Sequence, residues 1–535
     1  MGWRLREKNL TGVAWAECAL RENKKFRPRC TANAYRELAM LKRSSAVAIA
    51  LASVSWLAVS AGAASAETLQ EALALAYRTN PTLLAQRANQ RALDETIAQA
   101  RAGYRPTIDV TAGASYTRTD IRGSGAGTGV TDTDSGSLSI GLSQTLYSGG
   151  RIGHSVTAAE ANVLAGRENL RSVEQQVLAS VIQAYVGVQR DMQVLQIRQD
   201  NLVVLRRQLD ESNARFEVGE ITRTDVAQSE ARLAQSEADL ANAQAQLSVT
   251  RAGYAAVVGQ APANLVTPPT LPGVPTDFEQ ALDVGLVENP SVVAAGYTLQ
   301  AAEARVAAAR SAYLPSAGLT ASYGGSGYPS GLDLADRTSL TVGAQISVPL
   351  FTGGLNASRV AQALETANAA QIAVEGERRG VLQDVSSAFA RVVSTRATVT
   401  AGNEAVRAAT VAAEGVRQEA QVGLRTTLDT LNQELELRSA QVLLVNSVAN
   451  EYIAQASLLA AMGRLEGPDL DPLIEAYDAR ANTDAVRGRG ALPWDGVLEA
   501  IDRIAAPLVT PATDAPDAPI DTQLKSDIVK TAPQS

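Results

Sequence analysis

The sequence predicts a membrane protein of the α+β class, built as a tandem repeat that supplies strands to an outer-membrane β-barrel and helices to a long coiled-coil rod. Three observations predict this class. The chain of 535 residues begins with an export signal. One pattern of helices and strands then occurs twice. Each copy contains amphipathic strands followed by a helix that is too long for a compact domain.

The export signal lies near the N-terminus. Lys42 and Arg43 precede an apolar run over 46–61, and small residues at 64–66 offer a cleavage site before Glu67. The apolar run is shorter than the roughly 20 residues that a spanning helix needs. We therefore assign residues 1–66 to a signal peptide. Residues 1–39 do not resemble the start of such a signal, so we expect translation to begin at Met40.

Charge and cysteine content exclude several classes of protein. Residues 67–535 hold 37 Lys and Arg against 52 Asp and Glu, a net charge of −15. Nucleic-acid binding rests on cationic contacts to phosphate, so we expect no nucleic-acid partner. Cys18 and Cys30 both lie in the signal segment. The exported chain is therefore expected to have no disulfide, no Cys-ligated metal and no cysteine for a lipid anchor.

No residue pattern predicts an enzyme or a bound cofactor. The single histidine, His154, has no second histidine for a metal site or a catalytic triad, and we interpret it as a solvated or capping residue. A nucleotide-binding enzyme is a weak alternative, suggested by the glycine-rich run 123–127. This run lies in a hairpin loop with no helix N-terminus after it to receive a phosphate.

The duplication fixes the predicted domain boundaries. Asn80-Pro81 recurs as Asn289-Pro290 after 209 residues, and Gly149-Gly150 recurs as Gly353-Gly354 after 204 residues. The predicted segments are a first repeat over 67–261, a proline-rich linker over 262–275, a second repeat over 276–467 and a tail over 468–535. The tail is rich in Pro, Asp and Ala, which predicts that it is largely disordered.

Each repeat is predicted to contain a broken helix, two strands, a very long helix and a shorter helix. Strict alternation of apolar residues predicts strands at 107–118, 137–147, 316–323 and 338–351. The long helices are predicted from Arg151 to about Val218 and from Leu355 to about Val422, roughly 100 Å each at 1.5 Å per residue. Apolar steps of three and four predict a coiled-coil seam, which near the C-terminus passes through Leu428, Leu431, Leu435 and Arg438.

Strand counting predicts an oligomer. Strands of about ten residues with an apolar residue at every second position match the height of an outer-membrane barrel. The smallest such barrels have about eight strands, and lipid tolerates no open sheet edge. A chain with four strands must therefore associate with further copies. Two copies are the minimum, and three copies supply twelve strands.

The order of these motifs resembles the TolC family of outer-membrane efflux proteins over about Glu67 to Gly467. The shared features are the Asn-Pro openings, the Tyr-x-Pro entries into the strands and the Gly-Gly exits, all duplicated. The resemblance implies a homotrimer with a twelve-stranded barrel in the outer membrane, continuing into a coiled-coil tunnel in the periplasm. It also implies a periplasmic adaptor (membrane fusion) protein and an inner-membrane ABC or RND transporter that powers transport.

Two turns between helices are the candidate functional positions. Thr222 to Asp225 and Thr426 to Asp429 each follow a glycine and fit a capping box. A purely structural role as helix caps, worth about 0.5–2 kcal/mol, is one interpretation. The family resemblance adds a second interpretation, in which the turns form the gate of the tunnel. Both interpretations stay open at this point.

In the second interpretation, each gate residue follows from its position in the family pattern. Asp429 matches the first aspartate of the constriction, and Asn432 occupies the position of the second. Arg425 matches a latch arginine, with Thr224 and Asp225 as its expected neighbours. Ala420 stands where the family has a latch tyrosine. Because Asn432 and Ala420 depart from the family pattern, we expect a closed state that is held less firmly.

The sequence leaves the cargo open. The missing lipid-anchor cysteine resembles the protein-secretion branch of the family, so type I protein secretion with an ABC transporter is the preferred function. The outer-membrane component of a multidrug efflux pump is the first alternative. A periplasmic coiled-coil scaffold, whose strands merely pack as small hairpins, is the second.

Overall fold

The computed structural model describes residues 67–123, 129–327, 337–472 and 474–512. The predicted signal peptide, the proposed start at Met40 and the tail beyond residue 512 lie outside the described residues.

The two repeats have the same order of elements. In the first repeat these are α1 (Leu69–Thr79), α2 (Pro81–Arg101), β1 (Thr107–Ile121), β2 (Gly129–Tyr147), α3 (Arg151–Glu217) and α4 (Arg223–Val258). In the second repeat they are α5 (Phe278–Glu288), α6 (Pro290–Arg310), β3 (Ser316–Gly327), β4 (Arg337–Ser347), α7 (Leu355–Gln421) and α8 (Thr427–Ala461). The tail contributes α9 (Gly467–Leu470), α10 (Ala479–Arg487) and α11 (Asp495–Asp502).

The Asn-Pro motif explains the break in the first helix of each repeat. Asn80 ends α1 and caps α2 by accepting a hydrogen bond from the Thr82 backbone N–H at 3.0 Å. Proline suits the first position of the new helix because no intrahelical partner exists there for an N–H. The Asn80 side-chain amide also donates to the Val257 carbonyl at 2.9 Å. Asn80 therefore joins the junction of α1 and α2 to the C-terminal end of α4.

Asn289 makes the same contacts in the second repeat. Its side chain accepts a hydrogen bond from the Ser291 N–H at 2.9 Å and donates to the Ala461 carbonyl at 2.8 Å. Val257 and Ala461 occupy equivalent positions, 204 residues apart. The duplication seen in the sequence is thus repeated at the level of individual hydrogen bonds.

The four strands form a single antiparallel sheet in the order β1-β2-β3-β4. The register places Ile108, Leu142, Ala321 and Val342 in one row across the sheet. The next row, on the opposite face, contains Thr107, Ser143, Thr320 and Gly343. Apolar and polar side chains therefore occupy opposite faces, and β1 and β4 are open edges.

Three strands are longer than predicted and one is shorter. The pairing of β1 with β2 continues to Ile121 and Gly129, and β3 continues to Gly327, because backbone pairing extends into polar residues that carry no apolar alternation. β4 ends at Ser347, although residues up to 351 were predicted to be extended. Pro349 explains this difference, since it has no N–H to give to a strand ladder.

The long helices α3 and α7 contain 67 residues each, close to the predicted bounds. α3 packs against α4, and α7 packs against α8. The largest apolar cluster lies where α1 meets α3 and the end of α4, and it includes Leu73, Ile182, Tyr185 and Tyr254. Among the helices in the described ranges, none is both long and apolar enough to cross a bilayer.

The tail was predicted to be largely disordered over 468–535, and this is wrong for its described part. α10 packs against α2, and Asn482 donates a hydrogen bond to Asp94 at 2.7 Å. Arg167 donates to the Thr483 hydroxyl at 2.7 Å, and Arg489 pairs with Glu95. A composition rich in Pro, Asp and Ala does not reveal these polar contacts, because each depends on a partner group in α2 or α3.

Candidate functional site

The two turns between the long and short helices have the same backbone conformation. Gly219 and Gly423 both have a φ of +79°, a left-handed conformation that glycine adopts without steric cost. The Glu220 N–H donates to the Arg215 carbonyl and the Leu424 N–H donates to the Glu419 carbonyl, both at 2.9 Å. These are the bonds of a Schellman motif, which ends each long helix sharply.

Both short helices begin with the predicted capping box. The Asp225 carboxylate accepts hydrogen bonds from the Thr222 N–H at 2.9 Å and the Thr222 hydroxyl at 2.7 Å. Asp429 accepts the same pair from Thr426, at 3.1 and 2.8 Å. These hydrogen bonds lower the pKa of both aspartates, and both carboxylates stay ionised at neutral pH. A capping role is therefore present at both positions, and it uses only one oxygen, Oδ2, of each carboxylate.

Arg425 lies in the second turn, and its Nε donates to the Glu419 carboxylate at 2.8 Å. Within the described part of a single chain, it makes no hydrogen bond or salt bridge to Thr224 or Asp225. Thr224 is exposed at the first turn of α4. Glu419 was not predicted as a partner, because it precedes the turn and has no helical spacing to Arg425.

Asn432 lies one turn after Asp429 on α8. Its side-chain oxygen accepts a hydrogen bond from Arg232 of α4 at 3.2 Å. This contact joins the short helix of the first repeat to the short helix of the second. Sequence reasoning missed Arg232, since 200 residues separate it from Asn432 and Arg232 belongs to no motif recognised in the sequence.

The helix pair α3–α4 is called the first coil and the pair α7–α8 the second coil. Ala420 borders a cavity of about 270 Å³ between these two coils. On the α3 side its lining includes Arg207, Gln208 and Glu211, and on the side of the second coil it includes Arg417 and Thr430. The alanine side chain is too small to fill this space. The contact between the coils near the turns is therefore loosely packed where the family pattern has a tyrosine.

The seam between α7 and α8 near the turn contains a buried carboxylate. Glu434 is 3% exposed and pairs with Arg417 of α7 and, at 3.5 Å, with Arg438 of its own helix. Leu428 and Leu435, which were predicted to lie in this seam, are exposed. The prediction was wrong here because apolar spacing gives no signal for a buried ion pair.

In the equivalent seam of the first repeat, the buried polar contacts near the turn are between neutral groups. The hydroxyls of Ser212 and Ser229 are 3.1 Å apart, and the Asn201 amide donates to the Ser236 hydroxyl at the same distance. The two coils therefore share one backbone plan and differ in the chemistry of their seams. Removing one partner of a buried ion pair typically costs about 3–5 kcal/mol, because the other charge is left buried and unpaired.

The two turns expose charged and apolar side chains side by side. Within the described ranges, no group of three or more His, Cys, Asp or Glu side chains is placed to hold a metal ion. Carboxylates, arginines and exposed valines at the turns favour contacts with ions and with other protein surfaces.

Comparison with known proteins identifies the family. The profile of the family described as outer membrane efflux protein matches residues 68–260 and 281–464, one segment in each repeat. The outer membrane efflux protein BepC of Brucella suis is 34% identical over 435 residues, which cover 81% of this chain and 93% of BepC. The alkaline protease secretion protein AprF of Pseudomonas aeruginosa is 27% identical over 335 residues, 61% of this chain and 69% of AprF.

The fold is also that of a solved outer-membrane protein. The crystal structure of VceC from Vibrio cholerae matches with a TM-score of 0.62 and 24% identity, covering 74% of this chain and 96% of VceC. At this identity the likeness supports the fold alone. Members of the matched family are export channels and not enzymes. The resemblance to the TolC family is thus confirmed, and the chain belongs to the outer membrane efflux protein family.

Proposed function

We propose that three copies of this chain form the outer-membrane exit duct of a tripartite export system. Their twelve strands close into a barrel in the outer membrane, and their helices form a tunnel in the periplasm. A periplasmic adaptor joins the duct to an inner-membrane transporter, which supplies the energy. The duct itself performs no chemistry.

The register of the sheet carries this proposal. One face presents apolar rows such as Val110, Ile140, Tyr323 and Leu340, and the side chains of these rows are largely exposed in the single chain. The other face presents hydroxyl rows, in which Thr111 and Ser139 form a hydrogen bond at 2.7 Å. An apolar outer face and a polar inner face are the pattern of a barrel that spans an outer membrane around an aqueous lumen.

The internal duplication indicates how neighbouring copies meet. Within one chain, α3 packs against α2 of its own repeat and against α6 of the other repeat. α7 is the equivalent of α3 and packs against α6. On α3, one face meets the preceding helix of its own repeat and another face meets α6 of the other repeat. On α7, the first of these faces is occupied by α6. We infer that the second face of α7 meets α2 of the next copy. The same step brings β4 beside β1 of that copy and closes both open edges.

We propose that the two turns form the gate at the periplasmic end of the tunnel. Three Asp429 side chains facing one pore attract cations, whereas Asn432 removes a second carboxylate ring. Arg425, with Thr224 and Asp225, is proposed to link neighbouring coils across copies. The cavity beside Ala420 supports a closed state that is held less firmly than in relatives with a tyrosine there.

For the cargo, we propose type I protein secretion with an ABC transporter. Two observations support this choice: residues 67–535 contain no cysteine to carry a lipid anchor, and AprF is named for the secretion of an alkaline protease. The alternative is multidrug efflux, with an RND or ABC transporter, and the name of BepC supports it. Deleting the gene separates the two. Protein secretion predicts loss of a protein from the culture medium, whereas drug efflux predicts increased drug sensitivity with an unchanged set of secreted proteins.

The duct itself is tested by fractionation and mass. We expect the protein in the outer-membrane fraction, released only by detergent, with a native mass of three chains. A periplasmic coiled-coil scaffold would instead be extracted by salt or osmotic shock without detergent. Extraction without detergent, or a detergent-extracted monomer, would overturn the proposal.

A further inference from the structure

The tail after residue 467 lies beyond both matched segments of the family profile, yet it is anchored firmly to the repeat. Asp502, at the end of α11, is 1% exposed. Its carboxylate accepts hydrogen bonds from the Ser148 hydroxyl at 2.9 Å, the Tyr104 hydroxyl at 3.1 Å and the Gly150 N–H at 3.3 Å. Ser148 and Gly150 lie in the turn between β2 and α3, and Tyr104 lies just before β1. α11 is therefore fixed at the end of the sheet that faces the helices.

A second contact shows on which side of the sheet α11 lies. Tyr147 is paired with Ala317, which belongs to the apolar row Ala317, Leu319, Ala321 and Tyr323 of β3. A β-bulge between Thr145 and Tyr147 interrupts the alternation of β2 here, so that Tyr147 pairs with Ala317 and lies on its face. The Tyr147 hydroxyl donates to the Ile504 carbonyl at 2.8 Å. The chain that follows α11 therefore passes along the apolar face, which the proposed function places toward lipid.

α11 and the turn after it carry an uncovered apolar stripe. Trp494, Val497, Ile501 and Ile504 are separated by three, four and three residues, and all are between 40 and 65% exposed. Leu508, in the extended chain after the helix, is 82% exposed. The opposite side of the helix is buried through Leu498, which packs with Tyr104, Ile152 and Leu146. The helix thus has one apolar side packed against the protein and a second apolar side that the described residues leave largely exposed.

We propose that α11 is an interfacial anchor, whose exposed stripe enters the inner leaflet of the outer membrane beside the base of the barrel. This inference rests on the proposed function, because it needs the apolar face of the sheet to meet lipid. The hydrogen bond between Tyr147 and Ile504 brings the end of the stripe to that same side of the sheet. Tryptophan at one end suits the boundary between headgroups and acyl chains, where its amphipathic ring is favoured.

A second copy of the chain is a poorer occupant of this stripe. Copies that join through the β1 and β4 edges lie beside the sheet and not over its apolar face. The partner chemistry that fits the stripe is therefore the acyl-chain boundary of a phospholipid leaflet.

The sequence provides a direct probe, since Trp494 is the sole tryptophan in residues 67–535. The full exported chain is reconstituted into vesicles of phosphatidylethanolamine and phosphatidylglycerol, with or without bromine atoms on the acyl chains. Bromine quenches tryptophan fluorescence only on contact. We expect Trp494 emission to fall at least twofold in the brominated vesicles. Equal emission in brominated and unbrominated vesicles would overturn the inference. This holds also if the emission is blue-shifted, because a blue-shifted but unquenched signal indicates that Trp494 is buried against protein.

Two control variants separate this inference from the proposed function. Leu340 lies on the apolar face and Ser339 lies on the polar face of the same strand. In a Trp494→Phe background, Leu340→Trp is expected to be quenched and Ser339→Trp is not. If Leu340→Trp is not quenched, the barrel itself is wrong. If Leu340→Trp is quenched and Trp494 is not, only the anchor is wrong.

A third variant tests the stripe as a whole. Replacing Val497 and Ile501 by Ser leaves the buried contacts of Leu498 and Asp502 intact. We expect trimers of normal mass in which the quenching of Trp494 is reduced at least twofold. Quenching that is unaffected by this double substitution would contradict the role of the stripe.

Discussion

Arg232 of α4 donates a hydrogen bond to the side-chain oxygen of Asn432 on α8 at 3.2 Å, and this contact links the two repeats one helical turn from Asp429. In the family pattern, Asn432 stands where a second carboxylate ring would be. Compared with an aspartate at this position, Asn432 places no charge in the proposed pore, and its side-chain oxygen accepts a hydrogen bond from α4. The sequence did not reveal this contact, which would restrain the proposed gate.

Removing this link is expected to loosen the gate. A hydrogen bond of this kind contributes about 1 kcal/mol, roughly a fivefold change in an equilibrium between closed and open states for each chain. Arg232→Ala should therefore raise the mean single-channel conductance in planar bilayers. Arg223→Ala, at an exposed position of the same helix, is the matched control and should leave conductance unchanged. Equal effects of the two substitutions would mean that only net charge matters.

Asp225 and Asp429 provide a matched test of capping against gating. Both accept the same two hydrogen bonds from a threonine three residues earlier. Substitution by Ala should remove the same capping-box hydrogen bonds from both helices and weaken both helix starts alike. If Asp429 forms the constriction, only Asp429→Ala should reduce the preference for cations, measured as the reversal potential in a salt gradient. An unchanged preference would leave Asp429 as a helix cap.

Filling the cavity beside Ala420 is expected to tighten the closed state. The cavity of about 270 Å³ has room for an aromatic ring, and its polar lining offers partners for a hydroxyl group. Ala420→Tyr should therefore lower single-channel conductance. Ala412→Tyr, at an exposed position of the same helix, is the control for added bulk. Higher conductance of Ala420→Tyr would show that the ring forces the coils apart.

His154 is expected to make stability depend on pH near the base of the sheet. Burial lowers its pKa, although its hydrogen bond to the Pro507 backbone and the charge of Asp502 act in the opposite direction. The cavity around it is also lined by Arg101, Glu160, Arg487, Glu499 and Arg503. Because the unfolded chain takes up a proton more readily than the native one, stability is full above about pH 6.5 and is lost as the pH falls below that value.

The measurement for His154 is heat stability of the purified oligomer at pH 7 and pH 5. His154→Gln should reduce the loss of stability between pH 7 and pH 5. Because His154 is the only histidine in the chain, a smaller loss in the variant can be assigned to this side chain. A larger loss in the variant, or stability that rises toward pH 5, would contradict the direction of this pKa shift.

The elements that local pattern controls were predictable from sequence. The Asn-Pro breaks, the Gly-Gly exits and the two capping boxes depend on neighbours within a few residues, and the structure places each where it was expected. The long helices end within one residue of their predicted bounds, because Gly219 and Gly423 stop them. Apolar alternation also predicted which strand residues share a face.

Contacts between distant segments were not predictable. Glu434 is buried only because Arg417 reaches it from the preceding helix, and apolar spacing alone assigned Leu435 to that seam. The ordered tail depends on partners such as Asp94 and Ser148 that lie more than 300 residues away. Such pairs satisfy buried charges and amides, and a single sequence contains no periodic signal for them.

The central claim is that the polar face of the sheet lines an aqueous pore and its apolar face meets lipid. Thr341 and Val342 are adjacent in β4, and their side chains lie on opposite faces. Residues 67–535 contain no cysteine, so Thr341→Cys and Val342→Cys each introduce a single thiol. A charged, water-soluble thiol reagent should lower the single-channel conductance of Thr341→Cys and leave Val342→Cys unchanged. The opposite pattern, or equal responses from both variants, would contradict the account.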